Sequence, residues 1–231
     1  MDLKIDKNAS GRTSRDLVYK TIKSNILELH LEPGSAINET DIAAALNVSR
    51  TPIREAFVRL SRENLIVSYS QRGSFVTKLD MQLVEEGRFM RKILEKAVYK
   101  NVAQSAGPML IQTLRKSVGI QEAVVQALSD YASEFMLLDN HFHQSIFEAD
   151  GKRNVWNSIL DINTHFNRLR FLELKEQSNI YKVLFQHEAL VNAIEAHNVN
   201  AIDQIINEHT SNVMNIVDTM RINHPGYFLD D

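Results

Sequence analysis

The 231-residue sequence contains no cysteine. Disulfides, thiolate nucleophiles and thiolate metal sites are therefore excluded, and any metal site must be built from histidine, aspartate or glutamate. No segment approaches the roughly 18 uninterrupted apolar residues of a membrane span, and the first residues lack the apolar core of a signal peptide. These absences predict a cytoplasmic protein without membrane partners.

Proline is also scarce, and its four occurrences are unevenly placed. Beyond residue 79 it occurs only at Pro108 and Pro225, whereas the preceding part is broken by turn sequences such as Glu32-Pro33-Gly34-Ser35. The first part therefore holds short elements and the second part long helices. We expect a flexible N-terminus at 1–10, a small domain at 11–79, a helical domain at 80–222 and a C-terminal tail at 223–231.

Apolar periodicity predicts the individual elements. The small domain should contain helices at 14–29, 39–46 and 51–64 and a hairpin of strands at 66–70 and 74–79. The helical domain should contain helices at 81–105, 108–118, 128–149, 155–174, 182–197 and 201–220. Gly151 and Asn198 suit left-handed helix caps. The predicted fold class is mainly α.

The net charge of -3 is unevenly distributed. Residues 1–78 hold 12 Lys and Arg against 9 Asp and Glu, a balance of +3, while residues 79–231 hold 14 against 20, a balance of -6. A mildly basic small domain joined to an acidic large one favours contact between the small domain and a polyanion.

The stretch from Asn38 to Gly73 has the spacing of a helix-turn-helix followed by a hairpin wing. In the second helix the core side should carry Ile53, Ala56, Phe57 and Leu60, and the opposite side Thr51, Arg54, Val58 and Arg62. Arg54 thus lies near the start of a recognition helix and points outward, where an arginine can bridge guanine O6 and N7. Pro52 suits the first turn, and either Ser49 or Thr51 would cap it.

The hairpin places Arg72 beside Gly73 at its tip, where a basic residue can enter the minor groove or hold a phosphate. The alternative for any single arginine in this region is an ordinary solvated charge. That alternative applies to Arg50, Arg54, Arg59, Arg62 and Arg72. As a set on a winged helix-turn-helix, they favour DNA binding.

Fixed-spacing matches along this part resemble the GntR family. They comprise Leu31-Glu32-Pro33-Gly34, Asn38-Glu39, the run from Ala43 to Ala56 that includes Ser49-Arg50-Thr51-Pro52-Ile53-Arg54, Arg59-Leu60 and Arg72-Gly73-Ser74-Phe75-Val76. The resemblance implies a dimeric transcriptional regulator with a winged helix-turn-helix. It also implies that double-stranded operator DNA is contacted by Arg50, Thr51 and Arg54, assisted by Arg72 and Gly73 in the wing. Asn47 stands where a glycine is common, and asparagine tolerates left-handed backbone angles.

Four further residues in the helical domain are candidate metal ligands. Asp139 and His143 are four residues apart and share a helix face, while His187 and His209 lie within two later helices. An aspartate and imidazoles converging from three helices would suit zinc or a similar divalent ion. The alternative for each histidine is a packed or half-exposed side chain without a metal.

The helical domain is similar to the FCD effector domain of the FadR subgroup. The similarity lies in Arg91-Lys92-Ile93-Leu94-Glu95, Asp139-Asn140-His141-Phe142-His143, the run from Ile146 to Asn154, and the run from His187 to Ile194 followed by His209. It implies an all-α antiparallel bundle in which Asp139, His143, His187 and His209 bind a metal that coordinates a small carboxylate effector. Zinc is preferred, with nickel, manganese or iron as alternatives.

Two other side chains are candidate effector contacts. Arg91 could face the same pocket and pair with an anionic group, and the alternative is a helix-surface pair between Arg91 and Glu95. His165 falls in mid-helix and could line the cavity.

The sequence thus predicts a DNA-binding regulator, with repression relieved by ligand as the commoner logic in the family it resembles. The competing function is a metal-dependent hydrolase or lyase using the same Asp and His cluster, with Glu188 or Asp203 as general base. No H-E-x-x-H, P-loop or G-x-S-x-G motif supports it. A DNA-organising protein is a further alternative, which the acidic helical domain disfavours.

Overall fold

The computed structural model of the protein describes residues 3–4, 14–128, 130–177 and 179–230. The predicted flexible N-terminus at 1–10 lies outside these ranges apart from Leu3 and Lys4. The chain divides into two compact units, one of Met1–Met81 with Thr219–Asp231 and one of Gln82–Asp218. Within the described ranges, no helix is both long enough and apolar enough to cross a membrane.

The first unit is a winged helix-turn-helix, as predicted. Its elements are α1 (Ser14–Leu27), β1 (Ala36–Ile37), α2 (Glu39–Leu46), α3 (Arg50–Arg62), β2 (Ile66–Tyr69) and β3 (Gly73–Val76). The strands form an antiparallel sheet in the order β1-β3-β2, with Val67 opposite Phe75. The core between helices and sheet is fully buried at Ile22, Ile42, Ile53 and Leu60.

The two faces of α3 are those predicted from the 100° spacing of helical residues. The buried side carries Ile53, Ala56, Phe57 and Leu60, and the exposed side carries Thr51, Arg54, Val58 and Arg62. The helix is therefore held on the core by its apolar stripe while its polar stripe is left to solvent.

The C-terminal ends of two helices in this unit differ from the prediction, because the backbone angle φ becomes positive just beyond them. Helix α1 stops at Leu27, and Leu29 has a φ of 56°. Helix α3 runs from Arg50 to Arg62, and Asn64 has a φ of 56°. Asn47 closes α2 in the left-handed region at φ 52°, as its side chain permits. The strand β1 was not predicted, since two residues are too few to show an alternating pattern.

The second unit is a bundle of helices. Its elements are α4 (Met81–Ser105), α5 (Pro108–Ala127), α6 (Ala132–Ala149), α7 (Arg153–Ile162), α8 (Thr164–Lys175), α9 (Ile180–Glu195), α10 (Val199–His209) and a 3₁₀ helix (Asn212–Ile216). Helix α11 (Val217–Asn223) follows, and from Thr219 onward it belongs to the first unit. Helix α5 packs on α6 and α9, α9 packs on α10, and α6 packs on α7. Phe142, Phe147, Trp156, Leu190 and Ile206 form part of the buried core.

The helix predicted at 155–174 is two helices, and Asn163 separates them at φ -83° and ψ 37°. The Asn163 Nδ2 donates to the Gly87 carbonyl at 3.1 Å. A Cβ at Gly87 would lie 3.1 Å from Asn163 Oδ1 and from Phe166 Cβ, so α4 approaches this break closely because it has glycine there. Although the apolar pattern of the sequence continues through Asn163, the chain therefore forms two separate helices there.

Other predicted boundaries and caps in the bundle also differ from the structure. Helix α5 continues to Ala127, nine residues beyond its predicted end at 118. The predicted helix at 201–220 is α10, the 3₁₀ helix and α11. Gly151 is left-handed at φ 69°, as predicted, but Asn198 is not: His197 adopts φ 53°, and Asn198 caps α10 by accepting from Ala201 N at 3.2 Å.

Residues 223–230, which lie in the segment predicted as a tail at 223–231, pack within the first unit. Leu79 N donates to the Tyr227 carbonyl at 2.7 Å, and Leu229 N donates to the Leu79 carbonyl at 3.0 Å. Phe228 is only 3% exposed, and the Arg221 guanidinium lies 5.4 Å from the centre of its ring. The C-terminal segment is therefore a structural part of the winged helix unit.

Candidate metal centre and nucleic-acid interface

Four side chains of the helical unit converge on one point: Asp139 and His143 from α6, His187 from α9 and His209 at the end of α10. One ligand atom from each lies within 4.8 Å of all the others. The Nε2 atoms of His143 and His209 are 3.3 Å apart. Asp139 Oδ1 lies 3.5 Å from His187 Nε2, and its Oδ2 lies 3.6 Å from His143 Nε2. The structure thus brings together all four predicted ligands.

The helices hold these side chains because each ligand lies on a buried face. On α6, the four-residue spacing places Asp139 and His143 on the same face as Phe135 and Ile146. His187 is fully buried on α9, and His209 is half-buried where α10 ends. Packing of the bundle therefore orients the ligands.

Each histidine is oriented by a second contact through its Nδ1. The partner of His143 is the Tyr99 hydroxyl. His187 Nδ1 lies 2.7 Å from Gln121 Oε1, and His209 Nδ1 lies 3.2 Å from the Oε1 of Gln186. These contacts direct all three Nε2 atoms inward. Tyr99, Gln121 and Gln186 were not predicted from the sequence, since a tyrosine or glutamine in a helical pattern carries no metal-site signature.

A half-buried arginine, which was not predicted from the sequence either, compensates the charge of the cluster. Arg170 on α8 donates to Asp139 Oδ2. Burial alone would raise the pKa of Asp139, but Arg170 and the nearby His143 and His187 outweigh it and hold that pKa well below its ordinary value. The aspartate is therefore ionised at neutral pH.

Two histidines of the cluster, His187 and His209, are poor bases. Burial lowers the pKa of His187 to about 3. Burial, reinforced by His187 and His143, also lowers the pKa of His209 well below its ordinary value. Neutral imidazoles and an ionised carboxylate are the protonation states that bind a divalent metal.

The residues fit a metal on two observations. His187 Nε2 is buried and, among the described residues, has no hydrogen-bond partner. In addition, the His143 and His209 Nε2 atoms face each other at a distance that a shared proton or a cation would satisfy. Three imidazole nitrogens and one carboxylate oxygen are a donor set suited to zinc and to other borderline divalent ions.

A cavity of about 30 Å³ adjoins the cluster and is lined by Asp139 and His209, by Arg91 and Arg170, and by the rings of Phe135 and Phe166. Since about 10–15 Å³ measured in this way accommodates one water, the space is roughly that of two waters. A larger ligand would require side chains to move.

The side chains predicted to contact an effector differ in their placement. Arg91 lines the cavity, and its Nε donates to Glu95 Oε1 at 2.5 Å, with only 2% and 0% of the two side chains exposed. The pair is therefore buried and not a helix-surface pair. Arg91 Nη2 has no hydrogen-bond partner among the described residues. His165 is also buried, but its Nδ1 lies 3.1 Å from Arg168 Nη2, and its neighbour Phe166 faces the cavity instead.

The two residues considered as general bases lie outside this cavity. Glu188 is exposed on α9. Asp203 on α10 accepts from Lys100 Nζ at 2.5 Å and lies 3.5 Å from Lys96 Nζ. Neither carboxylate is among the residues that line the cavity beside the cluster.

The first unit presents a basic surface at the start of α3, where Arg50, Thr51 and Arg54 are exposed. Ser49 is the N-cap residue, but its side chain does not form the predicted capping hydrogen bond. The hydroxyl and the first backbone amides of α3 thus remain available for a phosphate oxygen. Arg54 Nε lies 3.1 Å from Glu39 Oε2, which holds the guanidinium on the outer side of the helix.

The wing carries its basic residue at the turn between β2 and β3. Arg72 is exposed beside Gly73, whose φ is 91°, and Gln71 has a φ of 62°. The Arg72 guanidinium lies 5.7 Å from the centre of the Tyr69 ring. Arg50, Thr51, Arg54, Arg72 and Gly73, the predicted DNA contacts, all lie on exposed elements of the winged helix.

Arg59 has a structural contact that distinguishes it from the other arginines of α3. Its guanidinium carbon lies 3.5 Å from the centre of the Tyr19 ring, and its Nε lies 3.3 Å from Glu63 Oε1. The Tyr19 hydroxyl donates to the same carboxylate at 2.7 Å. Arg59 therefore joins α1 to the end of α3.

Comparison with known proteins identifies both units. Residues 15–76 match the family model described as bacterial regulatory proteins, gntR family, and residues 88–212 match the FCD domain. The chain is 30% identical over 223 residues to an uncharacterized HTH-type transcriptional regulator in an unstable DNA locus of Streptomyces ambofaciens, covering 96% of this chain and 92% of that protein.

Two further proteins are similar to this chain, one in sequence and one in fold. The HTH-type transcriptional repressor RspR of Escherichia coli strain K12 is 25% identical over 214 residues, which are 93% of each chain. The solved structure of E. coli McbR/YncC has a TM-score of 0.74 at 16% identity, covering 90% of this chain and 99% of that one, and shows the shared fold. The relatives from Streptomyces ambofaciens and E. coli strain K12 are transcriptional regulators and not enzymes. The chain therefore belongs to the GntR family of bacterial regulatory proteins, and its helical unit is an FCD domain.

Proposed function

We propose that this protein is a homodimeric repressor whose affinity for operator DNA is controlled by a small carboxylate bound at a metal in the FCD domain. GntR-family regulators bind operator DNA, and the repressor of E. coli covers nearly all of this chain. The observation that carries the effector part is a cluster of four ligand atoms within 4.8 Å, adjoining a cavity that a buried guanidinium lines.

Operator recognition is assigned to the exposed start of α3 and to the wing. Arg54 would read a guanine edge in the major groove, with Arg50 and Thr51 on the adjacent backbone. Arg72 and Gly73 at the tip of the hairpin would contact the minor groove or a phosphate. These roles follow from exposure and position, since all five residues lie on the outer surface of the unit.

Metal binding is assigned to Asp139, His143, His187 and His209, with zinc preferred. A divalent ion held there would supply a coordination site for a carboxylate oxygen. Arg91 would donate to the second oxygen through its Nη2, which has no other partner among the described residues. Phe135 and Phe166 would cover the apolar part of a small ligand.

The dimer is assigned to the FCD domain. One recognition helix reads too few base pairs for specificity, so a two-fold pair of winged helices on a pseudo-palindromic site is the arrangement that suits this unit. We place the protein in the cytoplasm, where its operator is accessible. Sedimentation of a monomer, both free and on operator DNA at micromolar concentration, would contradict the dimer.

The decisive experiment combines metal analysis with DNA titration. A double variant, His187→Ala with His209→Ala, is compared with wild type and with the exposed control His141→Ala. Each protein is titrated onto a fluorescent operator, selected from random duplexes, with and without a panel of small carboxylates. We expect the double variant to lose stoichiometric metal and its response to the active carboxylate, because a ligand shifts operator affinity only by its differential binding to two states.

The competing role for the metal is to brace the bundle. In that case the double variant would melt at a lower temperature but respond fully to the carboxylate. A full response from folded, metal-free protein would therefore refute the proposed effector site.

A further inference from the structure

Two buried amides next to the metal cluster form a reciprocal pair. Gln186 lies on α9, and Asn212 is the first residue of the 3₁₀ helix. Asn212 Nδ2 donates to Gln186 Oε1 at 2.5 Å, and Gln186 Nε2 donates to Asn212 Oδ1 at 3.3 Å. Each side chain is less than 5% exposed. The two amides thus fix each other's orientation, since turning one alone would place donor against donor and acceptor against acceptor.

The amide pair also determines the tautomer of one metal ligand. The oxygen of Gln186 lies 3.2 Å from His209 Nδ1. Because an amide oxygen can only accept, Nδ1 must carry the imidazole proton, and the lone pair of Nε2 is left to face the cluster. A concerted flip of both amides would present an N–H to Nδ1. His209 would then carry its proton on Nε2 and could not bind a metal through that atom.

Among the described residues, three contacts orient the cluster histidines, and only the one to His209 is connected to the cavity, through Asn212. Asn212 lines the cavity together with Thr210 and Val213. Tyr99 and Gln121, which orient the other two histidines, do not line it. His209 is also the ligand that is half-buried and lies at the last residue of its helix.

We propose that the Gln186–Asn212 amide pair is a positioning element that holds His209 in its metal-binding tautomer and makes metal affinity sensitive to what occupies the cavity. This inference rests on the proposed metal-linked function. A ligand that hydrogen-bonds to Asn212 competes with Gln186 for the amide. The strength with which His209 binds the metal then depends on the molecule in the cavity, while His143 and His187 stay fixed.

The test uses zinc alone as the probe and three substitutions. Gln186→Leu removes the acceptor for His209 Nδ1. Gln186→Glu keeps an acceptor for His209 Nδ1 and for Asn212 Nδ2. The control is Gln204→Leu, at an exposed residue of α10 whose Nε2 donates to Glu208 Oε1 at 3.0 Å. Zinc affinity is measured by competition with a chelating dye, and the His209 tautomer by ¹⁵N NMR of the metal-free protein.

We expect Gln186→Leu to lower zinc affinity about 10- to 100-fold, the usual effect of removing an outer partner of a metal-binding histidine. Its His209 signal should move toward the tautomer protonated on Nε2. Gln186→Glu and Gln204→Leu should both keep the wild-type tautomer and an affinity within a few-fold of wild type. A purely structural role for Gln186 would lower stability without changing the tautomer.

A folded Gln186→Leu protein with wild-type tautomer and affinity would overturn the proposal. If that variant does not fold, Asn212→Leu frees the Gln186 amide and should shift the same two readouts in the same direction; unchanged readouts there would also overturn it. Wild-type protein that binds no zinc would instead refute the proposed function. The two failures are therefore distinguishable.

Discussion

Replacing Arg170 by methionine tests the electrostatics of the candidate metal centre, because it removes the guanidinium that faces Asp139. The Arg170 and Asp139 side chains are only 12% and 2% exposed. A second ion pair in the same unit, Arg115 with Glu195, is 45% and 51% exposed. Removing one partner of a buried pair costs about 3–5 kcal/mol, whereas an exposed pair contributes about 0–1 kcal/mol. Arg170→Met should therefore destabilise the metal-free protein several times more than Arg115→Met.

Zinc should reverse much of this loss, because a divalent ion beside Asp139 replaces the missing positive charge. The assay is urea unfolding of metal-free and zinc-saturated protein followed by the fluorescence of Trp156, the only tryptophan, which is fully buried in the FCD domain. The urea concentration at the midpoint of unfolding should fall, while the slope of the unfolding free energy against urea concentration stays constant. Equal losses for Arg170→Met and Arg115→Met without zinc would refute the reasoning, as would a zinc-independent loss for Arg170→Met.

Three other predictions concern DNA binding, the C-terminal segment and acid. Arg54→Ala should weaken operator binding by about 1–3 kcal/mol and relax the sequence preference at one base pair. Arg72→Ala should instead lower the affinity for all sequences and flatten the salt dependence of binding in titrations. An unchanged affinity and sequence preference for Arg54→Ala would contradict its role. Phe228→Ala, at a side chain 3% exposed, should cost about 3–5 kcal/mol of unfolding free energy by circular dichroism, and Leu229→Ala, 45% exposed, much less; similar losses would show that the segment is not docked. The metal-free protein should lose stability as pH falls from about 6.5 toward 3. The unfolded chain protonates its histidines below about 6.5, while folded His187 has a pKa of about 3, so unfolding takes up protons in this window. A urea midpoint that stays constant across this pH range would contradict the lowered pKa.

The winged helix could be predicted from sequence because its signals are local. The alternation of buried and exposed residues along α3 follows from the 100° step of a helix, and the positions of Ile53 and Arg54 agree with it. The fold class follows from the same periodicity and is confirmed. The two-residue strand β1 and the ends of α1 and α3 depend on single backbone angles, which periodicity does not report.

The metal cluster could be predicted only in part. Asp139 and His143 are linked by helical spacing, but their convergence with His187 and His209 depends on how three helices pack. Residues that support the cluster, such as Arg170 on α8, have no spacing signal at all. The break at Asn163 was likewise invisible, because the apolar pattern continues through it and the cause is a close approach of Gly87 on another helix.

The docking of Phe228 beside Leu79 makes the DNA-binding unit discontinuous in the chain. Domains generally fold during synthesis in the order in which they leave the ribosome. Here the first unit to emerge lacks its last segment, residues 219–231, until translation has passed through the whole FCD domain. A chain that terminates within the FCD domain therefore also lacks an integral part of the DNA-binding unit. We expect this order to suppress truncated products that bind DNA without a complete FCD domain.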